Sequence, residues 1–272
     1  MPLTTVAIDG TPIETLGLTV TPFAPVGFDG WASVPKWTYQ KVQIPTRPGM
    51  RVVSSGSSTD VRTMGLSLVV SPSGQMPAAF VDRAAKLDWV LSRIGEGLHE
   101  VTTIDAPGRV SYCLVEGMQV SSRLQWFQEP SVRADIQLVA NDPLWYDAEP
   151  VVTVVPAGQR KTLPVGTALT LRIVIEVLGA YTGPAVVIVR DHTGAEVQRN
   201  TLAGNLTSSE LLSIDCDAGT LTKFSSGVAT DVFSSTLGVT ETWIRLLAGS
   251  GYTIECAQAP LVVRHYRAWW TV

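Results

Sequence analysis

The chain has 272 residues, of which 45% are hydrophobic and only 16% charged, with a formal net charge of −4 at pH 7. That length suits about two domains with separate cores, and the acidic balance excludes a protein that grips nucleic acid through a basic face. A membrane-crossing helix is excluded too, because even the stretch Leu169–Ala180 is interrupted by Arg172 and Glu176. No signal peptide is expected, because Met1–Glu14 lacks a basic and an apolar region.

A charge content this low hints that part of the surface is covered by other chains. Three cysteines, an odd number spaced far apart, give no disulfide framework and fit a reducing cytoplasm.

Strand signals dominate the first half. "WTYQKVQI", Trp37–Ile44, is aromatic and β-branched. "TRPGMRVVSSGSSTD", Thr46–Asp60, is either a long functional loop or an extended hairpin arm. "MGLSLVV" from Met64 reads as a strand. A single helix is expected over about 77–94, where Phe80, Ala84, Leu87, Leu91 and Ile94 form one stripe. Pro77 suits its first turn, and Gly95 and Gly97 its left-handed stop. Trp89 falls on the polar face beside Asp82, Lys86 and Arg93. It either lies over the stems of Lys86 and Arg93 or forms a subunit contact.

Further strands are "RVSYCLVEGMQV" from Arg109 and "VRADIQLVA" from Val132. In the latter Ile136 and Leu138 face one way and Asp135 and Gln137 the other. "NDPLWYDAEP", Asn141–Pro150, reads as a linker, which gives domains 1–146 and 147–272. The second domain holds about eight strand signals and no helix, among them "LTLRIVIEVL", "AVVIVRD" and "TWIRLL", the pattern of a β-sandwich.

"ELLSIDCDAGTLTKF", Glu210–Phe224, sets Cys216 between Asp215 and Asp217. Strand alternation places Cys216 with Leu212 and Ile214, and both aspartates on the other face. A reactive thiolate needs an electropositive, accessible setting, so Cys216 is expected in the core and Asp217-Ala218-Gly219 in a turn. Cys256 repeats the arrangement after Tyr252 and Ile254, and Cys216 and Cys256 are possible neighbours across one sheet, both reduced. Cys113 lies in a strand.

His99, His192 and His265 stand apart from one another, without metal-ligand spacing. The glycines of "AGSGY", Ala248–Tyr252, suit a hairpin turn and not a phosphate loop. Two of the scattered carboxylates Glu176, Asp191, Asp215 and Glu255 could form a glycosidase pair, but they are better explained as the solvated side of alternating strands. Of the late aromatics Trp243, Tyr266, Trp269 and Trp270, the last two are consecutive, so only one of them points inward within a strand. The other is covered by a loop, stacks on a sugar or packs on another protein.

"LLSIDCDAGTLTK", "WIRLLAGSGYTIEC" and the closing "VVRHYRAWW" resemble the C-terminal half of siphophage distal tail proteins (Dit). Tyr252 stands where that family more often has Asn. In the first half, "RPGMRVVSSGSSTDVRTMGLSLVV" resembles the family's arm hairpin and "FVDRAAKLDWVLSRIGEG" its helix. "IDAPGRVSYCLVEGM" and "ADIQLVANDPLWYD" resemble the strands that close its N-terminal domain.

The resemblance implies a mainly β chain: an N-terminal β domain with one helix and a long hairpin arm, then a galectin-like β-sandwich. It implies a structural virion protein and no enzyme, with no cofactor and no metal. The protein would be made in the host cytoplasm and would form a homo-hexameric ring at the tip of a long non-contractile tail. The partners implied are the tail tube protein, the baseplate hub and tail-fibre proteins, the tape measure protein and a host cell-surface glycan. Arg47, Arg51 and Trp89 are then candidates for the subunit interface. Trp243, Trp269 and Trp270 are candidates for glycan or protein contact. A DNA conduit should be neutral or acidic inside, or the genome would adhere to it. The alternatives are a carbohydrate-binding adhesion protein working through the sandwich and, third, an envelope-degrading enzyme.

Overall fold

The computed structural model describes residues 6–13, 19–20, 28–29, 37–43, 50–59, 61–70, 85, 88–89, 91–92, 94–95, 97–103, 108–123, 131–233, 243–248 and 251–270. The chain divides into two compact units. One comprises Met1–Trp145 with Trp270–Val272, and the other Tyr146–Trp269. The fold is mainly β.

In the first unit the strands are β1 (Val6–Ile8), β2 (Thr11–Pro12), β3 (Thr19–Val20), β4 (Phe28–Asp29), β5 (Trp37–Gln43), β6 (Met50–Thr59), β7 (Arg62–Val70), β8 (Leu98–Thr103), β9 (Arg109–Arg123) and β10 (Ser131–Ala140). An antiparallel sheet runs in the order β2-β1-β8-β9-β10-β7-β3, with β4 also on β7. Alternation sets its faces. Met64, Leu66 and Leu68 of β7, Ala134, Ile136 and Leu138 of β10, and Cys113 of β9 are buried, while Gln137 is exposed.

Helical backbone appears at Ala85, Asp88, Trp89, Leu91, Ser92 and Ile94. Ile94 is buried, as the stripe requires. Phe80, Ala84 and Leu87 lie outside the described residues. Gly97, at φ 92°, takes the left-handed conformation expected at the helix stop.

Of the two readings for 46–60, a long loop or an extended hairpin arm, the structure has the arm, with strand from Met50 to Thr59. It pairs antiparallel with the preceding β5, from Gln43↔Met50 to Trp37↔Thr59, in a two-stranded sheet of its own. The arm is therefore β5–β6. β7 is not its second leg, because β7 is taken up between β10 and β3.

β11 (Trp145–Asp147) stands at the division of the chain. The second unit continues with β12 (Val151–Val155), β13 (Arg160–Leu163), β14 (Ile173–Leu178), β15 (Ala185–Arg190), β16 (Glu196–Leu202), β17 (Glu210–Asp215), β18 (Thr220–Ser225), β19 (Val228–Asp231), β20 (Tyr252–Cys256), β21 (Leu261–His265) and β22 (Ala268–Trp269). It is a β-sandwich of a six-stranded sheet, β12-β21-β14-β17-β18-β19, and a four-stranded sheet, β13-β20-β15-β16.

The inner faces of the two sheets supply one core. Ile173, Ile175, Leu212, Ile214 and Val263 come from the larger sheet, and Val187, Val189, Leu202 and Ile254 from the smaller. Burying such side chains stabilises a domain by about 1.5–3 kcal/mol each before entropy is charged against it. Residues 243–247 of "TWIRLL" are not strand. Ile244 and Leu246 are buried, but among the described residues this segment makes only an isolated bridge, Thr170↔Leu246. Its alternation puts side chains into the core without a neighbouring strand along its length.

Candidate functional site

The acid–cysteine–acid stretch is the end of a strand and the start of a turn. Leu212, Ile214 and Cys216 are buried together, and Asp217 is exposed. The Asp215 carboxylate accepts the backbone N–H groups of Asp217 and Ala218 at 3.0 and 2.9 Å, an Asx turn. Gly219, at φ 66°, completes it, and β18 returns against β17.

Burial, together with the flanking Asp215 and Asp217 charges, pushes the Cys216 thiol up to about 12, even though a backbone hydrogen bond from Ile244 works the other way. Burial pushes Cys113 up to about 11. Cys216 and Cys256 do not share a sheet. Cys216 follows β17 of the larger sheet, while Cys256 ends β20 of the smaller, and both thiols are free. The nucleophile in thiol chemistry is the thiolate. Native protein at pH 8 should therefore leave all three cysteines unmodified by iodoacetamide for hours and alkylate them within minutes in denaturant. Mass spectrometry reads the difference, and labelling of Cys216 in the folded state would contradict its placement.

Two of the three histidines have a structural part. His192 is exposed in the turn between β15 and β16. His99 is buried beside Cys113, its cross-strand partner, and Nδ1 meets the Asp9 carboxylate at 2.8 Å. An acid, an imidazole and a thiol in one place look like a nucleophilic set. Yet Cys113 is fully buried, and Asp9 also accepts the Glu100 N–H at 2.9 Å. The pair thus ties the β1–β2 turn, where Asp9 has φ 50°, to β8. His265 is fully buried, and its Nε2 donates to the Pro164 carbonyl at 2.6 Å.

Among the described residues no group of three or more His, Cys, Asp or Glu is placed to hold a metal ion. The four scattered carboxylates do not converge. Glu176 pairs with Arg264 on the larger sheet, and Asp215 and Asp191 accept turn N–H groups. Glu255 lies between Arg160 and Arg190 on the smaller sheet, at 3.0 and 2.9 Å.

The late tryptophans are largely engaged. Trp243 stacks on Phe233 with ring centroids 5.5 Å apart, and Gly219 packs against its indole. Trp269 donates its indole N–H to Asp147 at 3.0 Å. Trp269 and Trp270 are both half-buried. The in-or-out choice lapses because β22 ends at Trp269, so Trp270 is outside the strand.

No family model matches the chain, and no curated protein matches it. Among solved structures, the SPP1 Dit protein superposes with a TM-score of 0.74 at 16% identity, covering 97% of this chain and 98% of its own. This is the Dit fold. SPP1 Dit is described as a paradigm of the hub adsorption apparatus of phages that infect Gram-positive hosts. Two structures of the phage P2 baseplate in its activated conformation, with Ca and with Sr, match at TM-score 0.49 and 11% identity over 96% of this chain and 98% of theirs.

On the first unit, Leu98, Leu114 and Val139 lie side by side across β8, β9 and β10 on the side away from the core. Leu98 is 61% exposed and Leu114 36%. Trp89 is 39% exposed on its helix, next to Ser92, whose hydroxyl donates to the Trp89 carbonyl at 2.8 Å. Lys86 and Arg93 lie outside the described residues, and so does Arg47. Arg51 is in β6 opposite Val42.

The outer face of the smaller sandwich sheet is different in kind. Arg160, Glu255, Arg190, Glu196 and Arg199 alternate in sign across it, and each carboxylate is shared by two guanidinium groups. Such a ladder is satisfied within itself. Sequence reasoning missed it because its members come from four strands, and the only local signal is Glu196 three residues before Arg199.

Proposed function

We propose that the chain is a structural virion protein of a long-tailed, non-contractile phage, a hub at the tail tip. It joins the tail tube to baseplate or tail-fibre proteins and supports host attachment and DNA passage. The observation that carries this is the superposition on SPP1 Dit over nearly the full length of both chains. A fold shared by both units and their connection is more specific than a shared sandwich.

In this proposal the first unit forms a homo-hexameric ring. The second, a galectin-like sandwich, carries host-attachment parts. A ring needs head-to-tail interfaces, and the apolar row of exposed Leu98 and Leu114 with half-buried Val139, and the β5–β6 arm, are surfaces suited to them. The glycan-binding alternative has no described observation in its favour, since the Trp243 ring and the Trp269 indole N–H already have partners.

Antibody raised against the chain should decorate the distal end of the tail in electron micrographs of the virion. Decoration elsewhere, or none, would overturn the proposal. The Arg47→Glu/Arg51→Glu double variant should lose six-fold rings by light scattering and electron microscopy while its melting temperature stays within about 2 °C, the range of harmless surface changes. Rings that form as before would remove the arm from the interface.

A further inference from the structure

Of the four described strands that end the two sandwich sheets, three carry charge. β13 has Arg160 and Lys161, β16 has Glu196 and Arg199, and β19 has Asp231. Charges on an edge keep other chains from adding a strand to it. The fourth, β12, is Val-Val-Thr-Val-Val, uncharged, with Pro150 before it and Pro156 after it.

The direction of the β12 backbone groups follows from its neighbours. Just past either end of the β14–β21 register, Leu178 donates its N–H to the Pro260 carbonyl and Tyr266 donates to the Arg172 carbonyl, both at 3.0 Å. Bonded pairs alternate along an antiparallel ladder, so the even-numbered residues of β21 turn their N–H and C=O groups to β14. The odd-numbered Leu261, Val263 and His265 turn theirs to β12, where they meet Val155, Thr153 and Val151. The N–H and C=O groups of Val152 and Val154 therefore face the open edge, where no described strand lies. Their side chains are open as well, 55% and 60% exposed. Pro150 and Pro156 fall in the same phase and have no N–H, so the edge offers two donors and stops.

The five residues are the same sequence from either end. A strand meets its own copy antiparallel across a two-fold axis, which makes a closed contact. An axis through Thr153 sets Val152 against Val154 of the second copy, and Val151 against Val155. Each Val152–Val154 pair then exchanges both of its backbone bonds, and every open group on the edge is satisfied. The four exposed valines gather beside one another on one side, and no charge is brought to an uncharged edge. Five residues against five bury far less than the roughly 800 Å² per partner of a stable free complex. The contact is thus weak between lone chains and takes hold where copies are concentrated.

We propose that β12 is a docking edge for β12 of a second copy of this chain, which continues the six-stranded sheet of one sandwich into that of the other. A two-fold axis cannot relate neighbours within a six-fold ring, so the pairing joins copies that belong to different rings. Its failure would leave the hub reading untouched.

Disulfide trapping on the full chain tests the pairing. The three native cysteines are buried, so an added thiol is the one that reacts. Thr153 meets its own copy at the axis in a non-hydrogen-bonded pair, where Cα atoms come to about 4.5 Å, within disulfide range. Thr153→Cys should therefore cross-link to itself under mild oxidation and run as a covalent dimer on a non-reducing gel. Val152→Cys and Val154→Cys, each offset from its own copy by two residues, should dimerise alone on the order of ten-fold more slowly. In the Thr153→Cys background, Val154→Pro should remove the dimer, because the N–H it deletes serves only the second copy. Should that variant fail to fold, Val152→Lys/Val154→Lys decides, since both positions are exposed and the axis would set like charges opposite each other. A Thr153→Cys protein that stays monomeric would overturn the proposal, as would one that dimerises no faster than Val152→Cys or despite the two lysines. A Thr153→Cys disulfide to a different protein during infection, in place of a second copy, would refute it too.

Discussion

Gly166→Ala is expected to destabilise the sandwich by about 3 kcal/mol, the upper part of the range for forcing atoms into packed space. A Cβ at Gly166 would lie 2.0 Å from the Ala268 carbonyl oxygen and 2.9 and 3.0 Å from the Ala268 carbonyl carbon and nitrogen. These are backbone atoms, so no rotamer change relieves the clash and β22 itself must move. Movement there would break the Ala168 N–H bond to the Ala268 carbonyl, 3.0 Å, between two buried alanines. It would also disturb Pro164, two residues upstream, whose carbonyl receives His265. Gly194→Ala supplies the comparison. Gly194 has φ 85° with open space around it, so only backbone strain is charged, about 1 kcal/mol. Urea unfolding followed by far-UV circular dichroism measures both. A Gly166→Ala protein no less stable than Gly194→Ala would show that the close approach to β22 does not exist.

Strict alternation made β10, β14, β17 and β20 legible in the sequence, because a half-buried strand cannot place aliphatics otherwise. It also fixed which face Cys216 takes. Alternation has no purchase on edge strands. β13 carries Arg160 and Lys161, β16 is mostly polar, and β19 is exposed along its length, so hydrogen bonding to one neighbour is what makes them strands. "TWIRLL" fails in the opposite way, since it alternates with no more than the isolated Thr170↔Leu246 bridge among the described residues. The arm was legible as strand-like but not in its pairing. The choice between β5 and β7 depends on which neighbour is already occupied, and that is settled elsewhere in the sheet.

Candidate functional residues were harder still. Nothing near Arg62 in the sequence marks a buried cation, because the Trp270 carbonyl it donates to is 208 positions away. The late tryptophans stood out by composition. Which of their polar groups and faces are taken depends on Asp147 and Phe233, neither of which is marked in the sequence. A face assembled from many strands leaves no short motif in the sequence. The order of loose motifs along the chain was the stronger signal, and it agrees with a superposition that spans both units.

Acidification should weaken the sandwich before any carboxylate titrates, through His265. Its Nε2 carries the proton given to the Pro164 carbonyl, which leaves Nδ1 as a bare acceptor, buried and without a hydrogen-bond partner among the described residues. Its cross-strand neighbours Val151 and Ile173 are apolar. Charging the ring would strand a second N–H there. Burial therefore holds His265 below the usual 6.5. The Pro164 bond and the Asp147 charge pull it up, and the Arg267 charge reinforces the lowering.

In the unfolded chain the imidazole titrates near 6.5, so below that pH the unfolded state binds a proton that the native state refuses. Stability is complete above about pH 6.5 and declines as pH falls, until native His265 is itself protonated. The slope reaches at most about 1.4 kcal/mol per pH unit. Glu210 and Glu255, held low by Lys223 and by Arg160, act only below the ordinary carboxylate range and leave this window clear. Urea unfolding between pH 7.5 and 5 should show the decline in the wild type. His265→Gln keeps an N–H for Pro164 and cannot charge, so it should flatten the profile. A wild-type profile already flat across that window would mean that His265 is reached by water and charges as freely as it does in the unfolded chain.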